Sequence, residues 1–335
     1  MTGILRNPTA QVIALGPFVF DEVEVTLSRT KDGDKFTAKG PISANNIAGF
    51  VSAATIPVTV SFNGTQLFSG NVDHSDYDFD EGTITISGRD KGAALIDAQT
   101  SEKHLNKKPS DIVNTYAQRH GLQADVDTPT DDAGKIYSSD YDAITHRGSE
   151  WSHIASLADE YGMVTYITGG TLFFKQEPEQ LPNYQINYTP PTPAQYASGN
   201  FIKLKCSRNH VLGRPIKVNA HSHHHRSKQI NTATQQSSGN GGEPLIYNST
   251  HPLMSTEQLN RIATKRLAEI QAHELKMESL DIPGDETVNA RMTFVLSGTG
   301  TALDTSYDGE TIHHKMSFKD GFRTTIDCKT KKKGS

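Results

Sequence analysis

Apolar and polar residues alternate with a period of two near both ends of this chain, the pattern of strands that bury one face. A block near the start reads PVTVSFNGTQLFSGNV, then a polar stretch with Asp80-Glu81-Gly82, then TITISGRDK. A looser copy near the end reads RMTFVLSGTGTALDTSYDGETIHHKMS, then Lys319-Asp320-Gly321, then FRTTIDCKT. Each predicts an alternating strand ending at a glycine (Gly64, Gly298), a second strand, a Gly-containing turn and a last alternating strand. The likeness is in pattern more than identity, and aligning the ends takes a one-residue gap. Two similar β units in one chain point to a structural part rather than to an enzyme built around one cleft.

The first copy sits in a β-rich stretch from Val12 to Asp90, where VEVTLSRT alternates and Lys31-Asp32-Gly33-Asp34 is a hairpin signal before KFTAKG. Asn45 to Ala53 fits a short helix or a buried loop. From Lys91 to Gln176 the period lengthens. Ser110 is expected to cap a helix with Asp111 in its first turn and Ile112, Val113, Tyr116 and Ala117 on its apolar stripe, ending at Gly121. LQADVDTP reads as a short strand. A second helix starts near Ser149, buries Trp151, Ile154, Ala155, Ala158 and Tyr161, and ends at Gly162. MVTYITGGTLFFKQ is then a hairpin turning at Gly169-Gly170.

Glu177 to Gln195 carries Pro178, Pro182, Pro190, Pro191 and Pro193 and is expected to be a linker or wrapping arm. FIKLKCS and PIKVNAHS alternate as strands, and the polar, Gly-rich Thr232 to Glu243 is expected to be a flexible loop. Ser255 opens a capping box with Gln258, ahead of a helix to about Gln271 that buries Leu259, Ile262, Ala263, Leu267 and Ile270. A strand follows and stops at Pro283-Gly284. The expected fold class is α+β, dominated by β structure. It divides into a first β domain (1–96), an α/β insert of helix–strand units (97–180), and a second β domain (181–335) with the capped helix and the loop near 232–243.

Composition narrows the function. The chain has 335 residues, room for about two to four cores, and only 35% hydrophobic residues, as sheets with one wet face require. A net charge of −5 argues against a general nucleic-acid binder and suits a surface past which DNA slides without sticking. Two cysteines, Cys206 and Cys328, make no disulfide framework, so reduced thiols in a reducing compartment are expected. MTGILRNPTAQVIALG lacks the pattern of a signal peptide, and no window reaches the run of about 20 apolar residues of a membrane helix. A soluble protein made in the cytoplasm, without a membrane anchor, is expected. The closing TKKKGS reads as a frayed basic tail.

Candidate chemistry is thin. His221, His223, His224 and His225 are dense enough to bind Zn²⁺ or Ni²⁺, but they lie where a strand enters a polar loop, with no Cys, Asp or Glu close by to complete a site. His313 and His314, on an alternating strand, should point to opposite faces. Acids cluster in Asp73 to Glu81 and in Asp125 to Asp132. Paired carboxylates serve glycoside hydrolysis, and the first stretch superficially resembles a calcium loop, yet its spacing matches no EF-hand. With one Trp, a sugar cleft is poorly supplied. Ser149, Glu150 and His153 bring Ser, Glu and His together, but Ser149 is accounted for as a helix cap. No GxSxG, HExxH, P-loop or strand-borne GxGxxG pattern occurs. No catalytic, cofactor-binding or metal-ligating residue is assigned. The alternative reading is a tandem-β-domain carbohydrate-active enzyme or sugar-binding adhesin using Asp76, Asp78 or Asp80.

The order of elements carries a resemblance. A β unit ending in FSGNV…TITISGRDKGAALIDA, a helix closing at His120-Gly121-Leu122, SEWSHIASLADEYGMVTYITGGTLFF, a capped helix, LDIPGD and HHKMSFKDGFRTTIDCKT follow one another over about residues 10–330. The ordered set resembles the baseplate hub family of contractile phage tails, the late control D and Mu-like hubs, related to the hub portion of VgrG spikes. That resemblance implies a non-enzymatic virion protein of the tail baseplate, assembled in the host cytoplasm. It implies a homotrimer in which each chain supplies two tube-type β-barrels to a pseudo-sixfold ring. Its implied partners are the tail tube or tube-initiator protein, the central spike, the tape measure protein and the baseplate wedge, with no cofactor and no sequence-specific nucleic-acid binding. No lysozyme domain or β-helix spike is appended, so spike and hydrolase are expected on other chains.

Overall fold

Strands form where the alternation predicts them, and the computed structural model describes residues 9–330 except 30–32, 103, 105–106, 130–147, 177, 179–180, 224–229, 240 and 252–253. The first unit runs β1 (Ala10–Ala14), β2 (Pro17–Phe18), β3 (Glu22–Ser28), β4 (Lys35–Pro41), α1 (Ala44–Ser52), β5 (Pro57–Phe62), β6 (Thr65–Asp78) and β7 (Thr83–Asp90). Its strands lie side by side as β3-β4-β7-β6-β5-β1, antiparallel throughout. Asn63 and Gly64, both with positive φ (48° and 83°), make the tight turn between β5 and β6. Gly88 on β7 permits the closest approach of β6, because a Cβ there would sit 1.9 Å from the Asn71 carbonyl oxygen.

An insert follows: α2 (Ala93–Asp97), β8 (Gln99–Thr100), α3 (Pro109–Arg119), β9 (Gln123–Val126), β10 (Gly148–Ser149), α4 (Glu150–Tyr161), β11 (Met163–Thr168) and β12 (Thr171–Gln176). The sheet β11-β12-β9 joins Ile112, Tyr116, Trp151, Ile154 and Leu157 of the helices in one apolar core. Ser149 caps α4 by accepting from the Ser152 amide, and Gly162 ends it at φ 69°. Ser110 is not a cap. α3 starts earlier, with Lys108 at the N-cap and Pro109 inside the first turn, where the fixed proline φ suits the helix and no amide donor is lost.

The second unit holds β13 (Asn183–Thr189), β14 (Ser198–Gly199), β15 (Lys203–Arg208), β16 (Ile216–His223), β17 (Ile230–Gln236), β18 (Leu245–Thr250), α5 (Thr256–Gln271), β19 (Leu275–Pro283), β20 (Thr293–Ser297), β21 (Ser306–Ser317) and β22 (Gly321–Thr330). Its main strands lie as β15-β19-β22-β21-β20-β13. Two expectations change. The Pro-rich stretch contains β13, which joins the large sheet parallel to β20, because its prolines flank the strand and leave its amides free to pair. Thr232 to Gln236 is not loop but part of β17, antiparallel to β16, so polar side chains there face solvent from an ordered strand. β17-β16-β18 covers α5, whose Ser255–Gln258 capping box and buried Leu259, Ala263 and Ile270 are as expected.

The chain is α+β and β-dominated. The large sheets of both units share one apolar core, running from Val25, Phe36, Phe62 and Ile86 to Leu280, Phe294, Ile312 and Ile326. Phe62 of the first unit stacks on Phe322 of the second at 4.9 Å. Among the described residues no sheet closes on itself, so the expected barrels are not formed by either unit alone: β3, the end strand of the first unit, pairs with β21 of the second. No described helix is long and apolar enough to cross a membrane.

Candidate functional site

The two units are copies of one sheet. In chain order β3, β4, β5, β6, β7 correspond to β15, β19, β20, β21, β22, and the spatial order is the same in both. The long middle strand of each copy bulges at one place. β6 loses register with β7 between Val72 and His74, and β21 loses register with β22 between Gly309 and Thr311. Just before each bulge one amide turns to the residue ahead of the short strand: Val72 N–H to Ile56 C=O at 2.8 Å, Gly309 N–H to Met292 C=O at 3.2 Å. The bulged residues are Asp73 and Glu310, and each meets a base on the next strand, Arg89 at 2.6 Å and Lys329 at 2.8 Å. The turns differ more than the one-residue gap suggests. Asp78 pairs with Thr83 in the first copy and Lys315 with Arg323 in the second, so the second turn region is three residues longer.

The seam between the copies is a strand pairing. β3 lies antiparallel on β21 from Ser28 opposite Thr311 to Glu22 opposite Ser317. On the outer face Lys315 reaches Glu22 at 2.7 Å, and His313 Nδ1 reaches Glu24 at 3.0 Å. That hydrogen bond holds the Glu24 carboxyl below, and the His313 imidazole above, their ordinary values. His314, one residue on, points into the core as expected. Its Nε2–H donates to the Val288 carbonyl at 2.9 Å and its Nδ1 lies 3.1 Å from the Thr324 hydroxyl. Burial keeps it neutral and lowers its pKa to about 4.

The other sequence candidates are scattered. His221 and His223 lie two apart on β16; His224 and His225, like Thr130 to Asp132, fall outside the described residues. Among the described residues no group of three His, Cys, Asp or Glu is disposed to hold a metal ion. Cys206 and Cys328 are both free and sit on either side of β19, each opposite Met277, about 10 Å apart across two strand spacings and beyond disulfide reach. Asp76 and Asp78 share one face of β6 and border an open depression with Lys39, Thr83 and Thr85.

A buried polar cluster in the insert was not anticipated. Tyr116 lies between two imidazoles, its hydroxyl 2.9 Å from His104 Nε2 and 3.0 Å from His153 Nδ1. Glu150, fully buried at the start of α4, binds Arg119 and, at 2.7 Å, His120 from the end of α3. The sequence signals were Glu150 and His153 following the Ser149 cap and Tyr116 on the apolar stripe of α3. These contacts tie two helix ends together.

Comparison with solved structures places this geometry. A tail protein from Neisseria meningitidis superimposes with a TM-score of 0.74 over 96% of both chains, at 11% identity. The 43 kDa tail protein of prophage MuSo2 from Shewanella oneidensis gives 0.73 over 96% of this chain and 98% of its own, at 14% identity. The chain has the fold of phage tail proteins. It is also similar to an Escherichia coli type VI secretion component, itself described as structurally similar to T4 bacteriophage tail proteins (TM-score 0.57, 8% identity, 98% of this chain and 76% of that one). No family model and no curated protein sequence matches the chain. The tail fold therefore shows in the arrangement of strands at identities where sequence matching finds nothing, and it is the fold that the resemblance to baseplate hubs implies.

Proposed function

We propose that this chain is the hub of a contractile-tail baseplate, a structural rather than catalytic part. Three copies form a ring in which six similar β units give pseudo-sixfold symmetry. The ring joins the hexameric tail tube to the trimeric central spike and leaves a passage for DNA or the tape measure protein. The observation that carries this reading is the duplicated sheet, with the same strand order and the same bulge, whose copies already join edge to edge within one chain. The division into residues 1–96, 97–180 and 181–335 belongs to the same proposal: two ring-forming units, each with its own decoration. In the second unit the connection between β15 and β19 has grown into the β17-β16-β18 sheet and α5, whereas its counterpart in the first is a short hairpin. A tail-tip location in the virion and contacts with tube, spike and wedge proteins follow from this role. Negative-stain imaging of the purified chain tests it. A threefold ring with a hole wide enough for duplex DNA is expected, and a monodisperse monomer at micromolar concentration would count decisively against it.

A further inference from the structure

The units meet inside one chain through a single edge, β21 on β3, and each keeps the counterpart of that edge open. The counterpart of β21 is β6, and the counterpart of β3 is β15. Among the described residues no strand pairs with β6 beyond Val72 on its β5 side, and none pairs with β15 on the side away from β19. Open edges of this kind present unpaired amides and carbonyls to any strand that fits.

The internal seam supplies the register. Through their matching partners on the inner strands, Asp76, Tyr77 and Asp78 correspond to His313, His314 and Lys315, while Lys203, Lys205 and Cys206 correspond to Glu22, Glu24 and Val25. Laid over the open edges, the seam puts Asp78 opposite Lys205, Tyr77 opposite Cys206 and Asp76 opposite Ser207. The two cross-seam ion pairs, Lys315–Glu22 and His313–Glu24, become Asp78–Lys203 and Asp76–Lys205. Every charge is reversed, and every pair remains complementary. Lys203, Lys205, Asp76 and Asp78 are exposed, and Lys205 is already held along the edge by Glu278 of β19. The opposite face is apolar: Tyr77 stacks on Phe79 at 6.4 Å, Phe79 is 73% exposed, and Leu204 stands at the matching end of β15.

We propose that the open half-edge of β6, His74 to Asp78, takes β15 of a second copy of this chain as an antiparallel strand in the register of the internal seam. The proposal rests on the ring reading and adds its joint. The reversal of sign also sets the order of the units. Two β6 edges would set Asp76 and Asp78 of one copy against those of another, and two β15 edges would set Lys203 and Lys205 against their own copies, so like edges repel. First units therefore reject first units and second units reject second units, so copies alternate head to tail and the contact is heterologous, the kind that closes rings.

The test is a charge swap on the full chain, read by light scattering and circular dichroism. Asp76→Lys with Asp78→Lys, or Lys203→Asp with Lys205→Asp, is expected to weaken assembly at least tenfold while leaving the monomer's circular dichroism unchanged. The fourfold variant restores opposite signs and is expected to reassemble. An oligomer that survives both double variants, or a fourfold variant that stays monomeric, overturns this joint and leaves the ring reading standing. A monomeric wild-type chain overturns both.

Discussion

Asp73 and Glu310 hold the same position in two copies of one sheet: each is the unmatched residue of a β-bulge, and each takes a base from the strand beside it. The bulge re-aims the strand beyond it. In β21 that outer half carries the seam with β3, and in β6 it is the open edge.

The bulge and its ion pair are separable. Asp73 and Arg89 are both partly exposed, so Asp73→Ala is expected to cost no more than about 1 kcal/mol in urea denaturation. Deletion of Asp73 removes the unmatched residue, so Val72 and His74 follow one another opposite Gly88 and Ser87 in a regular ladder, Tyr77 keeps its face, and the bend that aims the open half of β6 is lost. That deletion is expected to abolish assembly in light scattering, whereas Asp73→Ala assembles.

A cysteine reports the register of the proposed joint. Tyr77→Cys places a thiol opposite the native Cys206 of a neighbouring copy, at the Cα separation of about 4.5–5.5 Å found across antiparallel pairs and within disulfide reach. Oxidation is expected to give covalent oligomers on a non-reducing gel, lost when Cys206→Ser is added. Cross-linking equal to that of an Asp80→Cys control would contradict the register.

The adjacent histidines are expected to titrate on opposite sides of 6.5. The Glu24 hydrogen bond raises His313, so its contribution to stability is complete below 6.5 and fades as pH rises through its folded value. Glu24 is lowered, so its part is complete above 4.5 and fades in acid. His314, buried and neutral to about 4, contributes fully above 6.5 and loses that contribution as pH falls toward 4. Ring-proton NMR over pH 3.5–8 checks this order, and His314 titrating above His313 would refute it.

Tyr116→Phe removes the hydroxyl that lies between His104 and His153 without opening a cavity. A loss of about 1–3 kcal/mol is expected in chemical denaturation, from buried imidazole nitrogens left without that partner. An unchanged midpoint would show that the cluster does not hold the insert together.

Much of this fold was legible in the order of residues, because strands with one buried face, capped helices and glycine turns are specified locally. Alternation located β3 to β7 and β19 to β22, and the Ser149 and Ser255 caps located α4 and α5. The echo between the two ends of the chain marked the duplication, and opposite parity separated His313 from His314. Local signals failed where pairing is decided at a distance. β13 and β17 are polar or proline-flanked segments that become strands only because β20 and β16 offer them edges. The acids from Asp73 to Asp80 gave no hint in sequence that one is a bulge residue while others line a half-open edge. That distinction depends on which strands lie alongside β6. Only the tertiary structure, by pairing β21 with β3 and leaving β6 and β15 uncovered, decided where a second copy can join.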